Sequence, residues 1–457
     1  MRQASGSITI AEIPLSIGLP DRRLMNAQQQ LAEKYRVCLC FRMEKNAAYA
    51  EALAAERRIP IPVTAKDISV RQYYCGNGNL ESVYRDMTET ECAEYLRMLE
   101  ADGFRTVWEN QIGENVFRTL KKGGTFLSVA RFPNYRRLQT VFSEAPDFLP
   151  PDIPAGGGCA KPCMIQPGRQ GAAEAAPGMS YLFRLADGSW LVIDGGPWQQ
   201  DDAQDLLRLM RNGKDEKPVI SLWLFSHYHG DHIGLAYEFL KRYGHAVDLR
   251  AVAYNFPDAD TLQLTREPFE PGWMTYLPEL ISERFPNVRR WNFHSGEKLR
   301  LPGAEIEILF THEDNFPVEM QWGNDTSSAW TVTQNGKKYL FLGDCDPMQC
   351  RFLADNYGES LKCDVLQLTH HGFNGAIEEL YRLADPDICL WVCDRMRFEK
   401  DGRCLGILAK SNDHGYSYTE YNQPVTVWED YRFNRWLRDD TVKKRIHHHA
   451  GEEIRIP

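Results

Sequence analysis

Apolar and polar positions alternate through the segment between residues 104 and 142. A period of two is typical of strands that bury one face, and the breaks between segments indicate turns. Ahead of this segment, Thr88 and Glu91 have the spacing of a capping box and introduce a helix with one apolar face. The pattern predicts an α+β arrangement of a helix and an antiparallel sheet. The predicted strands are 104–108, 115–120, 125–130 and 138–142.

A different pattern runs through residues 176–430, where short apolar runs alternate with longer amphipathic segments. Near-continuous apolar runs, such as 219–225, predict strands that are buried on both faces. Helices are expected after three of the runs, and Pro347 suits the first turn of one helix. The predicted helices are 233–243, 347–356 and 377–383.

A stretch rich in glycine and proline lies between the two regions. We therefore expect an accessory α+β domain of unknown role over 1–150, a linker over 151–175 and a larger domain over 176–430. The last segment, 431–457, is interpreted as a carboxyl-terminal tail. Its three consecutive histidines at 447–449 are interpreted as solvated.

The segment 226–232 places three imidazoles and a carboxylate directly after an apolar run. Because His227 and His229 are two residues apart at a strand end, their side chains are expected to point the same way and hold one ion. The following turn brings Asp231 and His232 toward a second ion. Imidazole and carboxylate are ligands that zinc and similar ions prefer. The alternative is a histidine-rich surface turn, which the preceding apolar run disfavours.

Three further segments each end an apolar strand with a possible ligand. A hairpin with its turn at 187–188 ends in Asp194, and a later strand ends in Asp344. A third strand ends in the pair His370 and His371. A carboxylate after a strand is more often a helix cap or a turn residue than a ligand. Each of these segments alone is therefore weak evidence for a metal site.

The motif H-x-H-x-D-H at 227–232 resembles that of the metallo-β-lactamase superfamily, and the later segments follow the family's order. The resemblance implies a four-layer αββα sandwich preceded by a smaller α+β amino-terminal domain. It also implies that Asp194 supports the loop of ligands and that Asp344 bridges two metals. By position, His370 is expected to be the last ligand and His371 to lie behind the ligands or contact substrate, although their order is left open.

The implied cofactors are two divalent metal ions, with zinc expected first and manganese as the alternative. Many family members place a third histidine before the bridging carboxylate, but the stretch 323–330 contains none, and His312 lies too early to replace it. An oxygen from Asn324 or Asp325 would instead complete the first site and favour harder ions such as manganese. The expected ligands are His227, His229, Asp231, His232, Asp344 and His370.

The stretch 323–330 and the His-His-Gly run at 370–372 resemble the branch that includes the hydrolase domain of bacterial DNA-uptake competence proteins. The resemblance implies a hydrolase that uses a metal-bound hydroxide on a phosphodiester or another small ester. Asp231 and His371 are the residues expected to take part in catalysis, and Tyr228 is a less favoured proton donor. The alternatives are a lactonase or β-lactamase-like hydrolase, a di-iron redox protein and a non-catalytic binding module.

Composition limits the choice of partners. The formal net charge of −10 disfavours a broad nucleic-acid surface, although a nucleic acid remains possible, and a small ester or phosphodiester is the expected substrate. The twelve cysteines are scattered, which is typical of reduced thiols in the cytosol. No apolar run is long enough to span a membrane, and the first residues lack the pattern of an export signal. We therefore expect a soluble, cytoplasmic protein with no membrane partner.

Overall fold

The chain divides into two compact units, one of Met1–Trp108 and Arg118–Pro146, the other of Glu109–Phe117 and Asp147–Pro457. Residues 1–38 lie outside the described part, so the expectation for the start of the accessory domain stays a prediction. The computed structural model describes residues 39–43, 62, 67–72, 80–143, 152–168, 179–197, 200–257, 271–316, 320, 323–373, 376–402, 404–406, 416–420, 423–427, 432–439 and 443–457.

The first region of the chain contains a seven-stranded sheet in the order β1-β2-β3-β7-β6-β5-β4. The four strands predicted between residues 104 and 142 correspond to β4 to β7. The strands are β1 Leu39–Met43, β2 Asp67–Gln72, β3 Leu80–Arg85, β4 Arg105–Ile112, β5 Asn115–Lys122, β6 Thr125–Phe132 and β7 Arg137–Ser143.

One helix, α1 Glu89–Ala101, follows β3. Its predicted capping box is present, since the Thr88 hydroxyl accepts a hydrogen bond from the Glu91 amide and the Glu91 carboxylate accepts one from the Thr88 amide. Tyr95 and Leu99 are buried on its apolar face. The helix therefore begins where two of its otherwise unpaired amide groups find partners, and it buries the face that the sequence pattern predicted.

The second unit contains two large sheets and a two-stranded hairpin. The first sheet has the order β14-β13-β11-β10-β9-β8-β24 with β12 beside β11, and the second has the order β15-β16-β17-β18-β19-β20-β23. The strands are β8 Cys163–Gln166, β9 Tyr181–Arg184, β10 Trp190–Ile193, β11 Val219–Leu224, β12 Asp248–Leu249, β13 Ala251–Ala253, β14 Arg289–Trp291, β15 Lys298–Leu301, β16 Ala304–Phe310, β17 Ala329–Gln334, β18 Lys337–Phe341, β19 Val365–Gln367, β20 Ile388–Trp391, β21 Tyr416–Glu420, β22 Gln423–Val427, β23 Ile446–His449 and β24 Ile454–Ile456.

The helices of this unit include the three that the sequence pattern predicted, each within a few residues of its expected bounds. Across the described part of the chain, no helix is both long enough and apolar enough to cross a membrane. The helices are α2 Gln200–Arg211, α3 Gly230–Tyr243, α4 Pro271–Arg284, α5 Pro347–Tyr357, α6 Glu378–Ala384, α7 Arg395–Lys400 and α8 Arg432–Asp439.

Because several neighbouring strands are parallel, their carboxyl ends lie at the same edge of each sheet. In the first sheet β10, β11, β13 and β14 are parallel, and in the second sheet β18, β19, β20 and β23 are parallel. Parallel strands buried on both faces need near-continuous apolar sequence, and β10 and β11 have it. Loops after these strands can therefore collect polar side chains at one place while the strands beneath them stay rigid.

Apolar side chains from both sheets form one core cluster. The rings of Tyr181 and Phe341 have centroids 5.4 Å apart, and those of Phe183 and Tyr339 are 5.0 Å apart in an edge-on arrangement. A second cluster joins the first sheet to α2, α3 and α4. On the second sheet, Phe352 of α5 packs against a ring of β16. The two sheets thus share one apolar core cluster, and helices pack against each of them.

Two expectations about the ends of this unit are wrong. The segment interpreted as a linker contains β8, which pairs with β9 and with β24. The segment interpreted as a tail contributes β23 to one sheet and β24 to the other, so the histidines at 447–449 lie in a strand beside β20. Both segments are short and rich in polar residues or breakers, and only pairing with distant strands gives them regular structure.

Replacing Leu390 with Ala is expected to reduce the free energy of unfolding by about 2–5 kcal/mol, because this fully buried side chain lies in the core between the sheets. Urea denaturation measures the change. Ile446→Ala is the matched control, since this side chain of the neighbouring strand is 53% exposed and its loss should cost less than about 0.5 kcal/mol. Equal losses in the two variants would contradict the placement of the core.

Candidate metal centre

Six imidazole and carboxylate side chains form two neighbouring groups at the edge where the parallel strands end. In each group the possible ligand atoms all lie within 4.8 Å of one another. The first group is His227, His229 and Asp344, and the second is Asp231, His232 and His371.

The loop after β11 and the first turn of α3 together supply four of the six side chains. His227 lies in the loop, and His229 occupies the position immediately before α3 with an extended backbone. Asp231 and His232 lie in the first turn of α3, where the positive end of the helix dipole favours a carboxylate. The strand end therefore gives the first pair of histidines, and the start of the helix turns the next two side chains toward the second group.

Asp344 connects the two groups. One of its oxygens lies 3.3 Å from Nε2 of His371 and 3.9 Å from Nε2 of His227. The other oxygen lies 3.2 Å from Nε2 of His232. The backbone amide of Asp344 donates to the Ser327 hydroxyl, which fixes the start of the side chain. This carboxylate therefore lies between both groups, and its bridging of two metals stays a prediction.

Asp194 lies directly behind the ligands and is fully buried. Its two oxygens accept hydrogen bonds from the amide and the hydroxyl of Ser226, both at 2.7 Å. One oxygen is also 2.8 Å from Nδ1 of His232. A carboxylate in this position orients the imidazole so that Nε2 faces the centre. The sequence predicted the supporting role of Asp194, but nothing in the sequence indicated that Ser226 would be its second partner.

The order of the two adjacent histidines is the reverse of the expected one. His371, expected to lie behind the ligands, joins the second group, where its Nε2 is 3.0 Å from Asp231. His370 lies outside both groups, and its Nε2 is 3.3 Å from Nδ2 of Asn324. The reason is the backbone: both histidines have left-handed conformations, with φ of 47° and 61°, so the side chains do not follow strand alternation.

The expected oxygen donors Asn324 and Asp325 lie in the short helical turn Gly323–Thr326, and both are buried. The backbone oxygen of Asp325 accepts from the side chains of Asn315 and Gln349 at 3.0 and 2.9 Å. These bonds fix the turn beside the centre. His312 is buried elsewhere and its Nε2 is 3.0 Å from Asn255, so it does not replace a third histidine.

Glycine is required at position 323 by close packing. A Cβ atom on Gly323 would lie 1.9 Å from Nε2 of His229 and 2.7 Å from the hydroxyl of Tyr228. Tyr228 itself is fully buried. Sequence reasoning did not identify Gly323, because a single glycine before an asparagine is also an ordinary turn signal.

Charges in this centre depend on one another. Burial disfavours the charged form of His371, but Asp344 and Asp231 outweigh burial and raise its pKa to about 10. Burial also opposes the charge on His232, yet Asp344 and Asp194 raise the pKa of that imidazole well above its usual value. Burial, with two neighbouring histidines, lowers the pKa of His227. Without a metal, protons on two imidazoles therefore balance the buried carboxylates.

The donor set fits divalent metal ions. Nε2 of His227 is buried and has no hydrogen-bond partner within the part of the chain that the structure describes. A buried nitrogen of this kind is costly unless a partner satisfies it. Neutral imidazole nitrogens with carboxylate oxygens are the usual ligands of zinc and other first-row divalent ions. The two groups could each hold one ion, with Asp344 contacting both.

Gly323→Ala is expected to displace His229 and to reduce the amount of metal bound by the first group, because the new methyl would overlap the imidazole. Elemental analysis after dialysis measures the ratio of metal to protein. Gly157→Ala is the control, since a Cβ at that position meets nothing within 4 Å. Wild-type metal content in the Gly323 variant would show that His229 does not contribute to binding in this position.

Metal binding is expected to release protons, and its apparent affinity should rise with pH through the neutral range. The raised pKa values of His371 and His232 mean that both imidazoles carry protons in the metal-free protein near pH 7, and a ligand must lose its proton. The stability of the metal-free fold changes with pH in the opposite direction to the metal affinity. Charged His371 stabilises the metal-free fold below about pH 6.5, and this contribution is lost as pH rises toward 10.

Calorimetric titration of zinc in two buffers with different ionisation enthalpies counts the released protons. Thermal unfolding of the metal-free protein between pH 6.5 and pH 10 provides the second measurement. Binding without proton release, together with stability that does not fall over this range, would contradict the protonation that the carboxylates impose.

Residues 174–383 match the family model described as the metallo-beta-lactamase superfamily. No curated protein sequence matches the chain. Among solved structures, the diiron β-hydroxylase CmlA from Streptomyces venezuelae is 14% identical over 52% of this chain and 45% of that chain, with a TM-score of 0.32. Zinc-bound PqqB from Methylobacterium extorquens is 13% identical over 42% of this chain and 59% of that chain, with a TM-score of 0.28.

YhfI from Bacillus subtilis, a protein of the metallo-beta-lactamase fold, is 20% identical over 50% of this chain and 85% of that chain, with a TM-score of 0.29. This chain therefore spans about half the length of CmlA and most of the length of YhfI. The match to the family model covers the segment that carries all six candidate ligands. Residues 174–383 are a metallo-beta-lactamase superfamily domain.

Proposed function

We propose that this protein is a metal-dependent hydrolase whose two divalent ions are bound by the two groups of side chains that share Asp344. The proposal depends on the position of that shared carboxylate, because its oxygens lie near imidazole nitrogens of both groups. The framework is the four-layer αββα order that the resemblance implied. Zinc is the expected metal, and manganese is the alternative.

Each side chain of the centre has a binding or orienting task. His227 and His229 would hold one ion, Asp231 and His232 would hold the other, and Asp344 is placed to serve both. When bound, two such ions act as Lewis acids and provide a water-derived nucleophile near neutral pH. Because His227, His232, Asp344 and His371 are buried, their charges act in a medium of lower dielectric constant than water.

His371 has two contacts that suit a ligand. Its Nδ1 lies 3.0 Å from the carbonyl oxygen of Val392, and a hydrogen bond to that oxygen would place the proton on Nδ1 and leave Nε2 to face the second group. This arrangement argues for a ligand role rather than proton donation by His371. His370 and Asn324, which contact each other at the same centre, are the residues that we propose to contact the substrate.

The proposed substrate is a phosphodiester or another small ester. The Asn-containing turn at Gly323–Thr326, in place of a third histidine, supports this substrate class through its likeness to the competence-type branch. The net charge of −10 favours a small substrate over a long nucleic acid. We therefore expect turnover of bis-nitrophenyl phosphate, with weaker or no turnover of nucleic-acid polymers, lactones and cephalosporins.

Asp344→Asn is expected to lower kcat/KM by at least about 100-fold and to remove metal from both groups, because a carboxamide is a poorer ligand than the shared carboxylate. Initial rates on the substrate panel and elemental analysis measure the two effects. Asp355→Asn, a change at a half-buried position of α5, is the control and should change neither.

Several outcomes would overturn parts of the proposal. Turnover retained in the Asp344 variant would exclude the two-metal mechanism. Turnover of a lactam or lactone without turnover of phosphodiesters would exclude the substrate class. Iron with visible absorbance would favour a redox protein, and protein purified without chelators that takes up no metal would favour a binding module.

A further inference from the structure

The turn Thr369–Gly372, which carries His371, has an unusual backbone. His370, His371 and Gly372 are consecutive residues with left-handed conformations, at φ of 47°, 61° and 75°. Residues other than glycine pay about 1–2 kcal/mol each for this conformation. Such a backbone persists only where its surroundings hold it in place.

Three hydrogen bonds join the turn to residues that follow neighbouring strands. The Thr369 hydroxyl donates to the carbonyl oxygen of Cys345 at 2.7 Å, and the amide of His370 donates to the carbonyl oxygen of Gly343 at 3.2 Å. The third is the contact between His371 and the carbonyl oxygen of Val392. All three acceptor carbonyls lie shortly after β18 or β20, so the sheet itself holds them in position.

A further hydrogen bond to the turn comes from a distant helix. Nδ2 of Asn434 donates to the carbonyl oxygen of Gly372 at 2.7 Å, across 62 positions of sequence. Asn434 lies on α8, in the segment interpreted as a carboxyl-terminal tail. It is fully buried, and so is the carboxamide that reaches the turn.

Packing of α8 does not by itself explain an asparagine at this position. The rings of Phe433 and Tyr381 meet edge-on with centroids 5.2 Å apart, and the guanidinium groups of Arg382 and Arg445 lie 4.7 and 4.4 Å from the centre of the Trp436 ring. These contacts anchor the helix through its apolar and aromatic side chains. A buried carboxamide costs free energy unless it forms hydrogen bonds, so its bond to Gly372 accounts for the polar residue there.

We propose that Asn434 is a positioning residue for the metal centre. By holding the carbonyl of Gly372, it keeps the left-handed turn in place and keeps Nε2 of His371 facing Asp231 and Asp344. The proposal rests on the proposed function of the site, because it assumes that His371 is a metal ligand. The proposal gives α8 a role in positioning a ligand of the centre, although α8 lies beyond the matched family segment 174–383.

Loss of the Asn434 donor should weaken metal binding by the second group of ligands and not by the first. Without the donor, the buried carbonyl of Gly372 loses its partner and the turn can relax toward an ordinary backbone. Movement of His371 weakens the second group, whereas His227 and His229 belong to a different loop and keep their positions. Loss of a residue that orients a ligand typically weakens metal binding by about 10–100-fold.

Titration of the full chain with zinc against a competing chelator tests the proposal, with circular dichroism to confirm the fold. Asn434→Leu is expected to leave the first zinc unchanged and to weaken the second by about 10–100-fold. Asn434→Ser keeps a hydroxyl donor and should bind the second zinc more tightly than the Leu variant does. Arg435→Ala, an exposed change on the same helix, should behave as wild type.

The Leu and Ser variants separate positioning from packing. If Asn434 only fills space, the larger Leu should preserve the second zinc better than Ser does, and that ranking would overturn the proposal. Wild-type affinity for both zinc ions in the Leu variant would also overturn it, while leaving the proposed function intact. Absence of zinc binding in the wild type would instead overturn the proposed function and this inference together.

Discussion

The Asp344 carboxylate is the constraint on which the rest of the centre depends. It is buried between imidazoles of both groups, and a buried charge is unfavourable unless opposite charges or metal ions compensate it. In the metal-free protein, protons on His232 and His371 provide that compensation, as the direction of their pKa shifts shows. Divalent ions can replace those protons, so the same geometry serves both states.

The two sheets make this arrangement possible. Strands of the first sheet deliver Asp194 and the loop of His227, and strands of the second deliver Asp344 and His371. The shared apolar core between the sheets keeps the strand ends at fixed positions, so that ligands from distant segments remain close together. Polar residues behind the ligands then set the orientation of each imidazole.

Local sequence patterns predicted much of this structure. The capping box at Thr88, the hairpin turn before Asp194 and the apolar strands ahead of each ligand depend on neighbouring residues, and the structure contains all of them. The role of His370 was expected from its position at a strand end, and that reasoning fails where the backbone becomes left-handed. The need for glycine at 323 and the pairing of β23 with β20 depend on residues far away in sequence, so no local pattern could indicate them.

The most direct test of the central claim is a crystal structure of the protein soaked with zinc, with anomalous scattering measured at the metal edge. The account predicts two anomalous peaks per chain, one beside His227 and His229 and one beside Asp231, His232 and His371, with Asp344 contacting both. A single peak, two peaks that do not share Asp344, or a peak bound by His370 in place of His371 would contradict it.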